Sequence, residues 1–195
     1  MGTLTNKKSS KKDLIIKTAA AMFRDKGYAA SSMRDLAEKI GIEAASLYNH
    51  IHSKAQILQE IIDEVSESCK IHLEKTEKAR GTSLEKIESL IRFHIQMMLT
   101  HFEEYSVMVS EWMHLENEPL ASFVSERRDY VKRMETIVEK GINQGEIKTL
   151  MPYVVVLNIL SSVRGLEFWQ RSAKIYTAQE MEDNMVVHLI GGIKR

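Results

Sequence analysis

Cysteine and proline are nearly missing from this sequence, and each shortage removes a class of protein. One cysteine, Cys69, among 195 residues leaves no disulfide partner within the chain. Without a His/Cys cluster at ligand spacing there is no structural zinc module either, so a buried thiol behaving as a small hydrophobe is the expectation. Two prolines, Pro119 and Pro152, and nine glycines leave long stretches uninterrupted, which favours helix almost throughout. No run approaches the roughly 18 uninterrupted apolar residues of a membrane span, and no apolar segment of a secretory leader follows the basic start MGTLTNKKSSKKD. The chain reads as cytoplasmic, with no membrane partner. Glycine-rich phosphate loops, nucleophile elbows, HExxH helices and paired-carboxylate motifs are also missing, which argues against an enzyme and calls for no cofactor. His94, His101, His114 and His188 lack the spacing of metal ligands and read as core or surface histidines.

An excess of charge is missing overall but not locally. Lys plus Arg and Asp plus Glu both number 27. Residues 1–56 nevertheless hold ten basic and five acidic residues, against 17 and 22 afterwards, so the first quarter is about +5 and the rest about −5. A basic end of this kind suits a polyanion. Lys7, Lys8, Lys11 and Lys12 form its leading arm, which is either a solubilising tail or a further contact to phosphate or the minor groove.

What is present is helical periodicity. Asp13 caps a first helix with Leu14, Ile15, Ala19, Met22 and Phe23 on one side, closed by Lys26-Gly27. Ser31-Ser32 opens a second, MRDLAEKI, ended by Gly41, and a third runs from about Glu43 to His50. Ser53 caps a long helix through Ile57, Leu58, Ile61, Ile62 and Val65 that fades in the polar EKTEKARGTS. Further helices are expected at about 83–101, 103–115, 118–144, 153–171 and 178–190. The fold class is all-α: an N-terminal three-helix helix-turn-helix domain over 1–56, and a larger helical effector-binding and dimerisation domain over 57–195.

The second and third helices meet the needs of a helix-turn-helix. Ala37 is small where the helices cross, and Gly41 accepts the left-handed turn. Leu36, Ile40, Ile42, Leu47 and Ile51 hold the third helix down, which leaves Ala44, Ala45, Ser46, Tyr48, Asn49 and His50 facing outward. Small residues let that helix approach a groove closely, Tyr and His can donate to phosphate, and Asn suits a base edge. Lys54 follows at the start of the next helix, beside the duplex backbone.

The stretch AAAMFRDKGYAASSMRDLAEKIGIEAASLYNHIHSKAQIL, Ala19 to Leu58, resembles the DNA-binding domain of the TetR family of bacterial transcriptional regulators. Phe23 before Lys26-Gly27-Tyr28, then Ser31-Ser32, Leu36-Ala37, Gly41, Leu47-Tyr48 and Ser53-Lys54 fall in that family's order and spacing. The resemblance implies that the third helix enters the major groove of a palindromic operator, with contacts from Ser32, Arg34, Ala45, Ser46, Tyr48, Asn49, His50 and Lys54. Ala45 stands where the family often has glycine, and Ile51 where phenylalanine is common. Both departures touch packing or base contact more than the fold.

The resemblance further implies a ligand pocket and a dimer interface in the remaining two thirds. YVVVLNILSSVRGLEFWQR and AQEMEDNMVVHLIGGI are apolar on more than one face, so these last two long helices are expected to pair with their twofold mates, Ser161, Ser162 and Gly165 permitting close approach. The pocket is expected among Phe93, Met97, Phe102, Met108, Trp112, Tyr130, Met134 and Trp169, with Met98, Met113 and Phe123 nearby. Plain core packing is the other reading of such a methionine and aromatic stripe.

SEWMHLENEPLASFVSERRDYVKRMETIVEKGINQGEI and the later LEFWQR resemble TetR regulators of fatty-acid or steroid catabolism that sense acyl-CoA thioesters. The likeness lies in Trp112, Arg127-Arg128, Tyr130, Gly141, Gly145-Glu146 and Trp169. It implies an apolar tunnel for the acyl chain, with Arg127, Arg128 or Arg164 meeting the CoA phosphates. Surface ion pairs of these arginines with Glu126, Asp129 or Glu167 are the alternative. The expected function is a repressor released from its operator by a small hydrophobic effector, an acyl-CoA among the candidates. A multidrug-sensing repressor of an efflux gene and an architectural DNA-binding protein without effector are the alternatives.

Overall fold

Helices begin in this chain where a short side chain can replace a missing backbone partner. Ser32 Oγ accepts from Asp35 N–H, and the Asp35 carboxylate accepts from Ser32 N–H, so the second helix opens with a reciprocal cap worth about 1 kcal/mol. Thr82 with Glu85 and Thr177 with Glu180 do the same for two later helices. The computed structural model describes residues 11–171 and 175–195. Among them are α1 (Lys11–Lys26), α2 (Met33–Ile40), α3 (Ala44–Tyr48), α4 (Lys54–Lys78), α5 (Ser83–Thr100), α6 (Phe102–Glu111), a 3-10 turn (Trp112–His114), α7 (Asn117–Asn143), α8 (Pro152–Arg164), α9 (Leu166–Arg171) and α10 (Ala178–Ile193). Lys7 and Lys8 of the basic arm lie outside the described residues, whereas Lys12 pairs with Glu60 at 2.9 Å.

The apolar faces settle into two cores. In the first, Phe23, Leu36, Leu47 and Ile51 pack on Ile57, Leu58, Ile61 and Ile62 of α4, and Val107, Leu115 and Phe123 close it from below. The division expected between residues 56 and 57 thus falls inside α4, whose first half belongs to the core of the helix-turn-helix. The second core gathers Leu73, Ile87, Leu90, Ile91, Met134, Val138, Val156, Ile159 and Val163 from α4, α5, α7 and α8. Each such side chain removed from water contributes about 1.5–3 kcal/mol.

One expected helix is divided. The span expected at 153–171 ends as α8 at Arg164 and resumes as α9. Gly165 sits at the break, where an added Cβ would lie 3.1 Å from the Ser162 carbonyl oxygen. The C-terminus is tied back: Lys148 N–H donates to Ile193 O at 2.9 Å and Arg195 N–H to Glu146 O at 3.1 Å. The Glu146 carboxylate in turn accepts from the amides of Ser83 and Leu84, satisfying two orphan donors at the start of α5.

Candidate DNA-reading face and interior cavity

The reading face is built from the buried residues outward. Leu47 and Ile51 are fully buried against α1 and α2, and Gly41, at φ 79°, makes the turn that brings α3 across α2. The helical period then leaves Ala44, Ala45, Tyr48, Asn49 and His50 exposed, Tyr48 to 47%. Ser32 and Arg34 are exposed on the adjoining edge of α2. Ser46 departs from the sequence expectation: it is half-buried rather than outward.

Lys54, expected beside the duplex backbone, is also engaged within the head. Its ammonium donates to the carbonyls of Tyr28 and Ser31 at 2.8 and 2.7 Å and lies 4.2 Å from the centroid of the Tyr28 ring. Two of its three protons and one face of its charge therefore hold the segment between α1 and α2, so Lys54 positions the reading face. Beside it, the Lys26 ammonium, 2.6 Å from Asp35, holds that carboxyl below its usual range.

Helix α6 connects this head to the body. Arg24 donates to Glu103 at 2.7 Å, Tyr28 N–H donates to Glu111 at 3.2 Å, and the Tyr28 ring stacks on His114 at 5.1 Å. Arg24 also lies over Phe102, 4.9 Å from its centroid. The opposite side of α6 and its 3-10 extension supplies Tyr105, Met108, Val109 and Trp112 to the wall of a cavity of about 440 Å³.

The rest of that wall comes from α4, α5, α7 and α8. At its buried end His94 has one ring nitrogen 2.9 Å from the Tyr105 hydroxyl and the other 2.8 Å from the Tyr130 hydroxyl. Burial, with His72 adding to it, lowers the His94 pKa to about 4, so the imidazole is neutral. Burial raises both phenols above their ordinary value and pushes the neighbouring Cys69 thiol up to about 12. At the exposed end stand Lys70, Arg127 and Arg164, with Arg133 held by Glu77. The Arg127 guanidinium lies 5.5 Å from the centroid of Trp112.

Of the expected pocket residues, Met108, Trp112, Tyr130 and Phe123 line this cavity. The others lie elsewhere; for Phe93, next to His94 on α5, the helical period that points His94 inward turns its neighbour away. Phe93 stacks on His72 at 4.3 Å in a separate shallow depression with Arg92. Met134 is fully buried in the second core, while Met97, Phe102 and Trp169 pack half-buried against it. Met98 is core, and Met113 is exposed. Arg128 does not reach the wall. Of the carboxylates expected as alternative ion-pair partners of Arg127, Arg128 and Arg164, Asp129 pairs with Arg133 at 3.6 Å, and Glu126 accepts from Ser122 at 3.0 Å. Sequence reads Cys69 as a buried thiol and His94 as a core or surface histidine but places neither of them, nor Tyr105, at a cavity, since each is an isolated polar or small residue in an apolar stripe.

Val154 and Leu157 are exposed on α8, where Leu157 also borders the cavity, and Val187 is exposed on α10. Gly191 and Gly192 face open space. Among the described residues no helix is long and apolar enough to cross a membrane, and no group of three or more His, Cys, Asp or Glu side chains could hold a metal.

Comparison with known sequences gives two matches: bacterial regulatory proteins of the tetR family over residues 15–61, and the tetracyclin repressor-like C-terminal domain over residues 80–193. The HTH-type transcriptional repressor KstR2 of Mycobacterium tuberculosis (strain ATCC 25618 / H37Rv) is 22% identical over 197 residues, covering 100% of this chain and 98% of the relative. The solved structure of the ketosteroid transcriptional regulator KstR2 of Mycobacterium tuberculosis superposes with a TM-score of 0.88 at 20% identity, covering 99% of this chain and 100% of that one. AibR in complex with isovaleryl coenzyme A and operator DNA gives 0.79 at 24% identity, covering 93% and 98%.

Proposed function

This chain belongs to the TetR family of bacterial regulatory proteins, and from that premise we propose that it is a repressor freed from a palindromic operator when an apolar effector fills the cavity. As a transcriptional regulator of this family it binds DNA and is not an enzyme. The reading face offers Tyr48, Asn49 and His50 to the major groove, with Ser32 and Arg34 at its edge and small Ala45 allowing close approach. Ser46, half-buried, contributes at most through its hydroxyl.

The observation that carries the effector reading is α6 with its 3-10 extension, which has Met108 and Trp112 in the cavity and Glu103 and Glu111 bonded to the head. An effector that fits one placement of α6 better than the other shifts the spacing of two reading helices by its difference in affinity for the two states. The twofold mate is proposed to dock on α8 and α10, where Val154, Leu157 and Val187 are exposed. Cytoplasmic residence fits a protein that reads DNA.

Charge favours an acyl-CoA over a cationic drug. Lys70, Arg127, Arg133 and Arg164 reach the cavity against Glu126 and Asp129, while Glu103 and Glu111 are turned to the head. Arg127 and Arg164 are the proposed partners of the CoA phosphates, and the fold is shared with AibR, crystallised with isovaleryl coenzyme A. Fluorescence anisotropy with the DNA upstream of the gene is the test. Nanomolar binding to one short palindrome, reversed by an acyl-CoA and not by CoA alone, is expected. Sequence-independent coating, or binding indifferent to every acyl-CoA, would sink this reading.

A further inference from the structure

The two phenols and the imidazole at the buried end of the cavity have one proton too many for the bonds they make. His94 is 3% exposed, and its two ring nitrogens are bonded to Tyr105 and Tyr130 at 2.9 and 2.8 Å. A neutral imidazole carries one N–H and one lone pair, so the three groups hold three protons and the two hydrogen bonds use two. If Tyr105 donates to Nδ1, Nε2–H donates to Tyr130 and the Tyr130 hydroxyl proton is left over. In the other tautomer Tyr130 donates and Tyr105 keeps the spare proton.

Both phenols line the cavity, so either tautomer leaves an O–H donor at its buried end. The neighbouring Cys69 thiol and the apolar Val109, Val131 and Val156 make poor acceptors. Leaving a buried donor unpaired costs about 1–3 kcal/mol, a factor of roughly ten to a hundred in binding. A phenylalanine at either tyrosine would instead orphan a ring nitrogen of the buried His94, so the triad exchanges one unpaired group for another unless an outside acceptor meets the spare proton.

We propose that this triad selects an effector whose buried end carries a single neutral oxygen, a ketone or a hydroxyl, on an otherwise apolar frame. This deepens the effector reading given above and rests on it. A ketone accepts the spare proton. A hydroxyl either accepts the spare proton or, with the tautomer reversed, donates its own to the lone pair of the same phenol. A carboxylate does not suit this end: the cations of the cavity, Lys70, Arg127 and Arg164, stand at its exposed end. A plain hydrocarbon end leaves the donor unpaired.

The probes are butylbenzene, 4-phenyl-2-butanone and 4-phenyl-2-butanol, titrated into the full-length protein by ligand-observed NMR. The ratio of ketone to hydrocarbon affinity is expected to fall roughly tenfold in Tyr105→Phe/Tyr130→Phe, with butylbenzene affinity retained as proof of folding. Carbonyl-13C-labelled ketone bound to the wild type supplies a measurement that needs no variant: its infrared stretch should move to lower wavenumber than in hexane. An unshifted carbonyl, an unchanged affinity ratio in a folded double variant, or failure of both oxygenated probes to bind would overturn the assignment. Operator binding by the same wild-type preparation separates the two readings. Lost DNA binding rejects the regulator reading, whereas intact DNA binding with an unshifted carbonyl rejects the triad alone.

Discussion

Arg24, in the last turn of α1, donates to Glu103, in the first turn of α6, at 2.7 Å across 79 positions of sequence. The pair is half-buried, and on stability alone it is worth about 1 kcal/mol or less. Its position matters more, because it couples the reading head to the helix that forms the cavity wall. Glu103→Gln should leave operator affinity without effector within about threefold and raise the effector concentration needed for release at least fivefold, on the order of 1 kcal/mol of coupling. Anisotropy titrations at fixed operator concentration measure both. An unaltered release curve would remove α6 from the transmission route.

Arg34 and Lys54 should behave as opposites. Arg34 is exposed, whereas Lys54 is engaged with two carbonyls and the Tyr28 ring. Arg34→Ala should leave the melting temperature in place and reduce the slope of log K against log salt by about one. Lys54→Ala should lower the melting temperature, weaken operator binding and leave the slope nearly unchanged. Tyr48→Ala and Asn49→Ala should each weaken specific binding by about 1–3 kcal/mol with the dimer intact.

Much of the head was legible because its signals are local. Ser32 and Asp35 are three residues apart, Gly41 needs only its own φ, and Leu47 and Ile51 repeat within one turn. The cavity was not, since its buried end joins Cys69, His94, Tyr105 and Tyr130 from four helices. Periodicity finds the apolar stripe of each helix but not which part of the stripe meets a void. Met134 and Met108 look alike in sequence, yet one is sealed in the core and the other borders empty space. The same limit explains Lys54, whose carbonyl partners lie 26 and 23 residues earlier.

Val187 is 73% exposed in the centre of α10. Val187→Glu places a charge on the proposed twofold face without touching either core. Sedimentation velocity should show a folded monomer with an unchanged far-ultraviolet spectrum, and affinity for a full palindrome should fall by at least tenfold. A dimer of undiminished stability would move the interface elsewhere.

Acid should weaken the fold through His94. Its pKa is about 4 in the folded chain against 6.5 ordinarily, so the unfolded chain takes up a proton that the native one refuses. This contribution is fully present above pH 6.5 and is lost as the pH falls toward 4, amounting to about 3 kcal/mol. His72, also lowered by burial, acts in the same direction. Denaturant midpoints measured between pH 7 and 4.5 should decline, and His94→Gln should flatten that part of the decline.

Val107, Leu115 and Phe123 complete the core beneath α3 although they belong to α6, α7 and the segment between them. The head therefore has no floor of its own. A chain cut after Lys78 would bare Phe23, Ile57 and Ile61 to water, and the severed piece would aggregate rather than survive as a miniature DNA binder. Because the head and the proposed sensor share this core, losing effector control while keeping DNA reading calls for substitution inside the intact body rather than truncation.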